Sequence, residues 1–226
     1  MALLKRIICL ANSRKVGGTC VAGKEAIGAD AGKWVRPVSN RPTHEVSSSE
    51  RHYQDGSDPG LLDIIDVPIQ SDCPNLYQVE NWLLDPSQKW TRVGQVGWKD
   101  LFGLADKPNS LWVNGSSTSQ GLNDRVSQAH CQNLDCSLYL AHVDNLRIHV
   151  FAPGEYFGNP KLRVQAEFTY GGINYKMWIT DPTIEATYRA KGVGMYEIGE
   201  CFLTVSLGEI HSDGYAYKLV AAVITP

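Results

Sequence analysis

The sequence predicts a mainly β protein with a minor helical part, folded as two small β-barrels in tandem. Three observations carry this expectation. Short apolar runs recur along the chain between Gly, Pro and Asp turn signals. Two hairpin patterns occupy the last third, and only one stretch carries a full set of helix start and stop signals. The length of 226 residues suits two domains of about 100 residues each. No period of 20–50 residues repeats, which excludes solenoids and propellers.

Taken in order, residues 5–11 are a compact apolar run suited to a strand buried on both sides. Residues 19–22 and 33–38 are short β-rich runs separated by Gly and Asp. In LLDIIDVPI, residues 61–69, Pro68 near the end suggests an edge strand. Trp82 reads as a core residue and Glu80 as a partner for a nearby Arg. Residues 98–104 suit a short helix with Gly103 near its end. These elements make a first barrel over 1–104. Residues 105–137 are rich in Ser, Asn and Gln, include SSTSQG, and read as a polar connecting segment with room for one helical turn.

The second barrel is expected over 138–226. Residues 138–151 hold one or two strands. In KLRVQAEFTY-GG-INYKMWIT, Leu162, Val164, Ala166, Phe168 and Tyr170 alternate with Arg163, Gln165, Glu167 and Thr169, and Gly171-Gly172 is a two-residue hairpin turn. A helix over 183–191 has Asp181 as N-cap, Pro182 at its start and Gly192 after its last turn. The final hairpin is CFLTVSL and YAYKLVAAVI, turned at Ser212-Asp213-Gly214, with an almost wholly apolar closing strand.

Composition narrows the class. Hydrophobic content of 43% and charged content of 20% are ordinary for a folded soluble chain. No apolar stretch approaches the roughly 18 residues of a membrane span. The opening MALLKRIICLANSRK has too short an apolar run for a signal peptide, so no membrane partner and a cytoplasmic location are expected. The six cysteines then read as reduced thiols. His130-Cys131-x4-Cys136 offers three ligands where structural zinc wants four, so no metal or other cofactor is expected. Net charge is only −3, but residues 1–41 carry eight Lys or Arg against two acids, and residues 45–85 carry nine acids against one Arg. Either a positive patch forms, or the two sets interdigitate and cancel.

The stretch Gly18–Glu25, GTCVAGKE, is one letter short of the phosphate loop G-x-x-x-x-G-K-[ST]. Glu25 places a carboxylate where the magnesium-binding hydroxyl belongs, and Thr-Cys-Val-Ala is strand material, so a nucleotide-hydrolysing loop is not expected here. The preceding Asn12-Ser13-Arg14-Lys15 leaves a strand end and leads into Gly17-Gly18, an arrangement that suits phosphate oxygens. Lys24, Lys33 and Arg36 lie in adjacent strands with Trp34 between the last two. A basic groove with an interleaved aromatic is how single strands are held. The same pattern also fits Trp34 packing the barrel while Lys33 and Arg36 are solvated. The candidate ligand-binding residues are therefore Ser13, Arg14, Lys15, Lys24, Lys33, Trp34 and Arg36. Asp181 and Glu209 are secondary candidates, the first also a helix cap and the second also a turn carboxylate. His44, His52, His142, His149 and His211 have no catalytic or metal spacing, and no catalytic residue is named.

The motifs KRIICLANSRK, CVAGK, KWVRPVS, QVENWLLD, YKMWITDP, LTVSLGE and YKLVAAVI, in this order, resemble the dual OB-fold proteins of bacteria and their viruses. That family is known mainly as domains in predicted prokaryotic conflict or defence contexts. The resemblance implies two OB-like barrels and a non-enzymatic role in binding nucleic acid, single strands favoured, with no catalytic set to carry over. It places a shared site at the polar ends of the matched motifs. The mildly acidic composition departs from a typical single-strand binder and leaves a nucleotide ligand open. Two further readings stand beside it. One is an enzyme acting on nucleic acid or a nucleotide through Asp181 and Glu209. The other is an adaptor binding a protein partner through a sheet edge or the acidic 45–85 segment.

Overall fold

The structure, a computed structural model, describes residues 3–15 and 17–226. The chain divides into two compact units, one of Met1–Leu104 with Asp135–Ser137, the other of Ala105–Leu134 with Leu138–Pro226.

The first unit contains β1 (Leu3–Lys15), β2 (Gly18–Glu25), β3 (Trp34–Val38), α1 (Ser48–Arg51), β4 (Asp63–Asp72), β5 (Asn81–Leu84), β6 (Thr91–Gln95) and α2 (Leu101–Leu104). β1 pairs antiparallel with β2 and β4, β2 with β3, and β4 with β5, while β3 and β5 run parallel and close a five-stranded ring. One long strand can serve two neighbours because the register of β1 shifts between Cys9 and Ala11. Such a bulge bends a strand and increases its twist. The inward residues Ile7, Cys9, Val21, Val35, Ile65, Val67, Ile69, Leu84 and Trp90 form the core, with Trp82 packed against it.

Pro68 does not mark an edge strand. β4 pairs with β1 on one side, and on the other with β6 at Asp63–Asp66 and then with β5 from Ile69. Pro68 falls in the gap between those two partners, where no ladder needs its missing N–H. The GTCVAGKE stretch is strand β2 throughout. Its Gly23 is required by packing: a Cβ there would lie 2.1 Å from the Ile8 carbonyl oxygen.

The second unit contains β7 (Arg125–Ser127), α3 (Gln128–Cys131), β8 (Leu138–Phe151), β9 (Arg163–Tyr170), β10 (Ile173–Ile179), α4 (Pro182–Lys191), β11 (Gly194–Ile210) and β12 (Tyr215–Ile224). The ring repeats the first strand for strand. β8 pairs antiparallel with β9 and β11, β9 with β10, and β11 with β12, and β10 closes the ring parallel to β12. Both units are thus closed five-stranded barrels of OB-like connectivity. Where α4 joins the third and fourth strands here, the first unit has residues 39–62 with the single turn α1.

Residues 105–134, polar in composition, fold as part of the second unit. Leu111 and Trp112 are buried, the Leu111 amide donates to the Tyr175 hydroxyl at 3.2 Å, and Leu122 exchanges backbone bonds with Lys176. At the β9–β10 turn, Gly171 and Gly172 have φ of 57° and 75°. Both central residues of this tight hairpin need the left-handed region that glycine enters freely.

α4 starts as its signals require. The Asp181 carboxylate accepts from the Thr183 and Ile184 amides at 3.0 and 3.2 Å, and also from Val223 at 3.3 Å. Burial raises the pKa of this carboxyl. Asp181→Ala is expected to lower unfolding free energy by about 1–2 kcal/mol, the usual loss of a cap. Asp181→Asn should recover most of it, both read from urea unfolding curves.

Candidate functional site

The residues singled out in the first barrel do not share one face. Ser13, Arg14 and Lys15 pair with Cys20, Thr19 and Gly18 at one end of the β1–β2 ladder. Lys24 pairs with Ile8 and Trp34 at the other end. Four to six residues of strand separate Lys24 from the other three, about 13–20 Å. Ser13 is buried and donates to the Cys20 carbonyl oxygen at 3.4 Å. Arg14 is exposed and Lys15 half-buried.

Lys24 and Arg36 are interior residues, which corrects both earlier readings of Arg36. Lys24 is 4% exposed, donates to the Leu104 carbonyl oxygen at 2.7 Å, and lies 5.3 Å over the half-buried Trp34 ring. Arg36 is 5% exposed and ion-paired with Glu80 at 3.0 Å, the partner anticipated for that acid. Lys33 is exposed but held by Asp30 at 2.6 Å. Lys5, Arg6 and Arg41 likewise meet Glu25, Asp66 and Glu50 at 2.9, 2.7 and 2.6 Å. Of the cations in residues 1–41, Lys5 and Lys33 thus meet the two acids of that segment, and Arg6, Arg36 and Arg41 meet Asp66, Glu80 and Glu50, which folding brings to them.

The two secondary carboxylates do not converge. Asp181 accepts from Val223 at one end of β12, whereas Glu209 precedes Ile210, the partner of Ala216 near the other end. Six or seven residues of strand keep them about 20 Å apart. A reaction centre built on this pair has no geometry to support it. The run around Cys131 is also committed elsewhere: the Cys131 thiol donates to the Val126 carbonyl and His130 bonds the Ser127 hydroxyl. Among the described residues no group of three His, Cys, Asp or Glu could hold a metal ion, and no helix is long and apolar enough to cross a membrane.

A denser constellation lies on the outer face of β8, β9 and β10. Alternation turns Arg147, His149 and Phe151, then Arg163 and Glu167, then Lys176 and Trp178 away from the core. Strand register sets them in rows. Glu197, Arg147, Glu167 and Lys176 are successive cross-strand partners, and Met195, His149, Gln165 and Trp178 make the next row. Phe151 opposite Arg163 makes a third. Glu167 bridges Arg147 and Lys176, the latter at 3.1 Å.

The aromatic rings are stacked. His149 and Phe151 have centroids 4.3 Å apart and planes 20° apart; Phe151 and Trp178 follow at 5.7 Å and 25°. The Arg163 guanidinium sits 4.7 Å over the Trp178 ring. Burial, then Lys176, lower the pKa of His149 despite the opposing pull of Glu167, so its imidazole is neutral at pH 7. The half-buried rings thus form an uncharged platform edged by cations.

Each end of this face carries a further feature. At the Gly171-Gly172 turn is a cleft of about 600 Å³, lined by side chains that include Arg147, Glu167, Asn174 and Lys176. At the opposite end, residues 152–162 join β8 to β9 and hold Tyr156 and Phe157 at 94% and 83% exposure. A bridge between Gly154 and Asn159 closes this loop beneath them. Aromatic side chains are large apolar surfaces, and here two neighbours are left in water.

A family model described as the dual OB-containing domain matches residues 5–223. No curated protein and no solved structure matches the chain.

Proposed function

The chain belongs to the dual OB-containing domain family, and from that premise we propose that it binds single-stranded nucleic acid along the outer face of its second barrel, without catalysing a reaction. The observation that carries this reading is the stacked row His149–Phe151–Trp178 with Arg163 over its last ring. Every base has a π-face, so an aromatic platform holds a strand whatever its sequence, while neighbouring cations meet its phosphates. OB barrels bind oligonucleotides on the face of their second and third strands and with the loop joining the first two. Here these are β9, β10 and the loop that exposes Tyr156 and Phe157. From Gly171 to Arg163 the face is about 27 Å long, with Gln165 at its middle covered and donating to the Gln120 carbonyl oxygen at 2.7 Å, and it fits the lower end of the roughly 4–16 nucleotides an OB barrel takes.

The charge count sets the salt dependence. Lys161, Arg163 and Lys176 lie along the track, and Arg147 and Lys176 already share Glu167. With Lys176 bridged to Glu167, Lys161 and Arg163 make about two phosphate contacts and give a slope of log K against log salt near about −1.4, since each contributes about −0.7 on single strands.

Fluorescence anisotropy of labelled oligothymidylate and oligouridylate across a salt series tests this. Tight binding with that slope is expected, together with a loss of about 10-fold for Trp178→Ala, in the range known for stacked bases. Because Trp178 is half-buried, the exposed pair Tyr156→Ala with Phe157→Ala is the companion variant, expected to weaken binding with an unchanged melting curve. Absence of binding to any strand, or full affinity in both variants, overturns the reading.

A further inference from the structure

We propose that the cleft beside Gly171-Gly172 reads a base, and that the base it selects is guanine. This rests on the reading of the β8–β10 face as a single-strand track and adds to it a preference in sequence. The cleft holds about 600 Å³, within the usual range for small-ligand sites of about 300–1,000 Å³. It lies at the end of the track beyond the stacked rings.

Its charge separates it from the rest of the track. Asp144, Glu167 and Glu197 line it with Arg147 and Lys176 as the cations, and Glu167 engages both of those. Asp144 and Glu197 are exposed and enter no ion pair among the described residues. Glu197 is the cross-strand partner of Arg147, so a carboxylate and a guanidinium stand side by side on one wall. Three carboxylates against two cations disfavour a phosphate. They suit a neutral ligand that presents paired donors on one edge and paired acceptors on another.

Among the bases only guanine has both. Its N1–H and N2–H₂ are adjacent donors that one carboxylate can accept together, and its O6 and N7 are adjacent acceptors that match an arginine fork. Adenine and cytosine each place an acceptor beside their amino group, and thymine and uracil flank one donor with two acceptors. Either arrangement turns a lone pair toward the carboxylate. The Gly171-Gly172 turn lines the cleft, and Leu122 gives its wall an apolar patch.

The test measures affinity for oligothymidylates that carry one dG, dA or dC at each position in turn, in the whole chain and in the Asp144→Asn, Glu197→Gln double variant. One dG is expected to tighten binding about 10-fold over dA or dC at the same position, the usual discrimination of one bidentate pair. The double variant should bring that ratio close to one. Equal affinity for all bases, with binding retained, overturns the pocket and leaves the track standing. So does a double variant that binds every strand more tightly with its base ratio intact, because the carboxylates then only repel phosphate. If no strand binds, guanosine is titrated alone by NMR. Selective shifts at Gly171 and Lys176 keep the pocket and discard the track; no shift discards both.

Discussion

Arg36→Ala is expected to lower the unfolding free energy by about 3–5 kcal/mol, the cost of stranding one member of a buried ion pair. The Arg36 and Glu80 side chains are 7% and 4% exposed, with 3.0 Å between them. The guanidinium also donates to Asn81 Oδ1 at 3.1 Å and Ser137 Oγ at 2.8 Å, and Ser137 in turn donates to Glu80. Arg36 Nε and Glu80 Oε2 have no further partner among the described residues. Neutral hydrogen bonds to Asn81 and Ser137 do not replace a counter-ion, so removal of one charge leaves the other buried and uncompensated. Glu80→Ala should cost a similar amount by the same reasoning. Replacing both together, Arg36→Met with Glu80→Leu, removes both desolvation penalties and should recover most of the loss. Urea unfolding followed by tryptophan fluorescence measures all three. A single-variant loss under about 1 kcal/mol would show that the charges are not stranded as argued. The same variant separates a structural role from a ligand role. Under conditions where Arg36→Ala remains folded, oligonucleotide affinity should equal that of the unaltered chain, because the residue lies outside the second barrel's track.

What could be read from the sequence divides by the range of the interaction. Strands β1–β4 and β8–β12, the Gly171-Gly172 turn and the capped helix α4 are local features and appear where apolar runs, alternation, turn chemistry and caps place them, whereas the short strands β5, β6 and β7 carry no such pattern. Long-range pairing is a different matter. Lys24 and Arg36 look like free charges beside Trp34, but their partners are the carbonyl of Leu104 and the carboxylate of Glu80. Nothing near them in sequence announces either one. Clustering along the chain singles out Ser13–Lys15 and Lys33–Arg36, but folding buries Ser13 and Arg36 and pairs Lys33 with Asp30. The face of the second barrel has the opposite character. His149, Phe151, Arg163, Lys176 and Trp178 lie on three strands, unremarkable one by one, and only cross-strand register gathers them. One local signal was available: GEYFGNPK sets two aromatics between glycines in a polar loop. Such rings have no core position to fill, and Tyr156 and Phe157 stand almost fully in water.

Stability should rise with pH from about 7 to about 8.5, because β12 buries a lysine. Lys218 is 1% exposed, and its ammonium donates to the Val113 carbonyl oxygen at 2.8 Å and Asn114 Oδ1 at 2.9 Å. It also sits 5.3 Å over the Tyr175 ring. Burial pushes its pKa down to about 7, with Asp124 pulling only partly the other way. In the unfolded chain the same group titrates near 10.4. Between those values the unfolded state binds more protons than the folded one, so raising the pH favours folding, with a slope approaching 1.4 kcal/mol per unit. Below about pH 7 both states are protonated and the slope vanishes, leaving the full cost of the buried charge. The thiols act in the reverse direction. Burial pushes Cys201 in the same barrel, and Cys9 in the other, up to about 12. Unfolded thiols ionise from about pH 8.5, so each then lowers stability by a similar slope as the pH climbs further. One thiol cancels the lysine and two exceed it. Urea unfolding should therefore show a gain of about 2 kcal/mol between pH 7 and 8.5, then a maximum and a fall. Lys218→Met, similar in length and uncharged, should erase the gain and keep the fall, being more stable than the unaltered chain at neutral pH. If the variant shows the same rise, the lysine is not its source; if the unaltered chain shows none, the ammonium is as comfortable in the barrel as in water, and its two oxygen acceptors with the Tyr175 ring outweigh its burial.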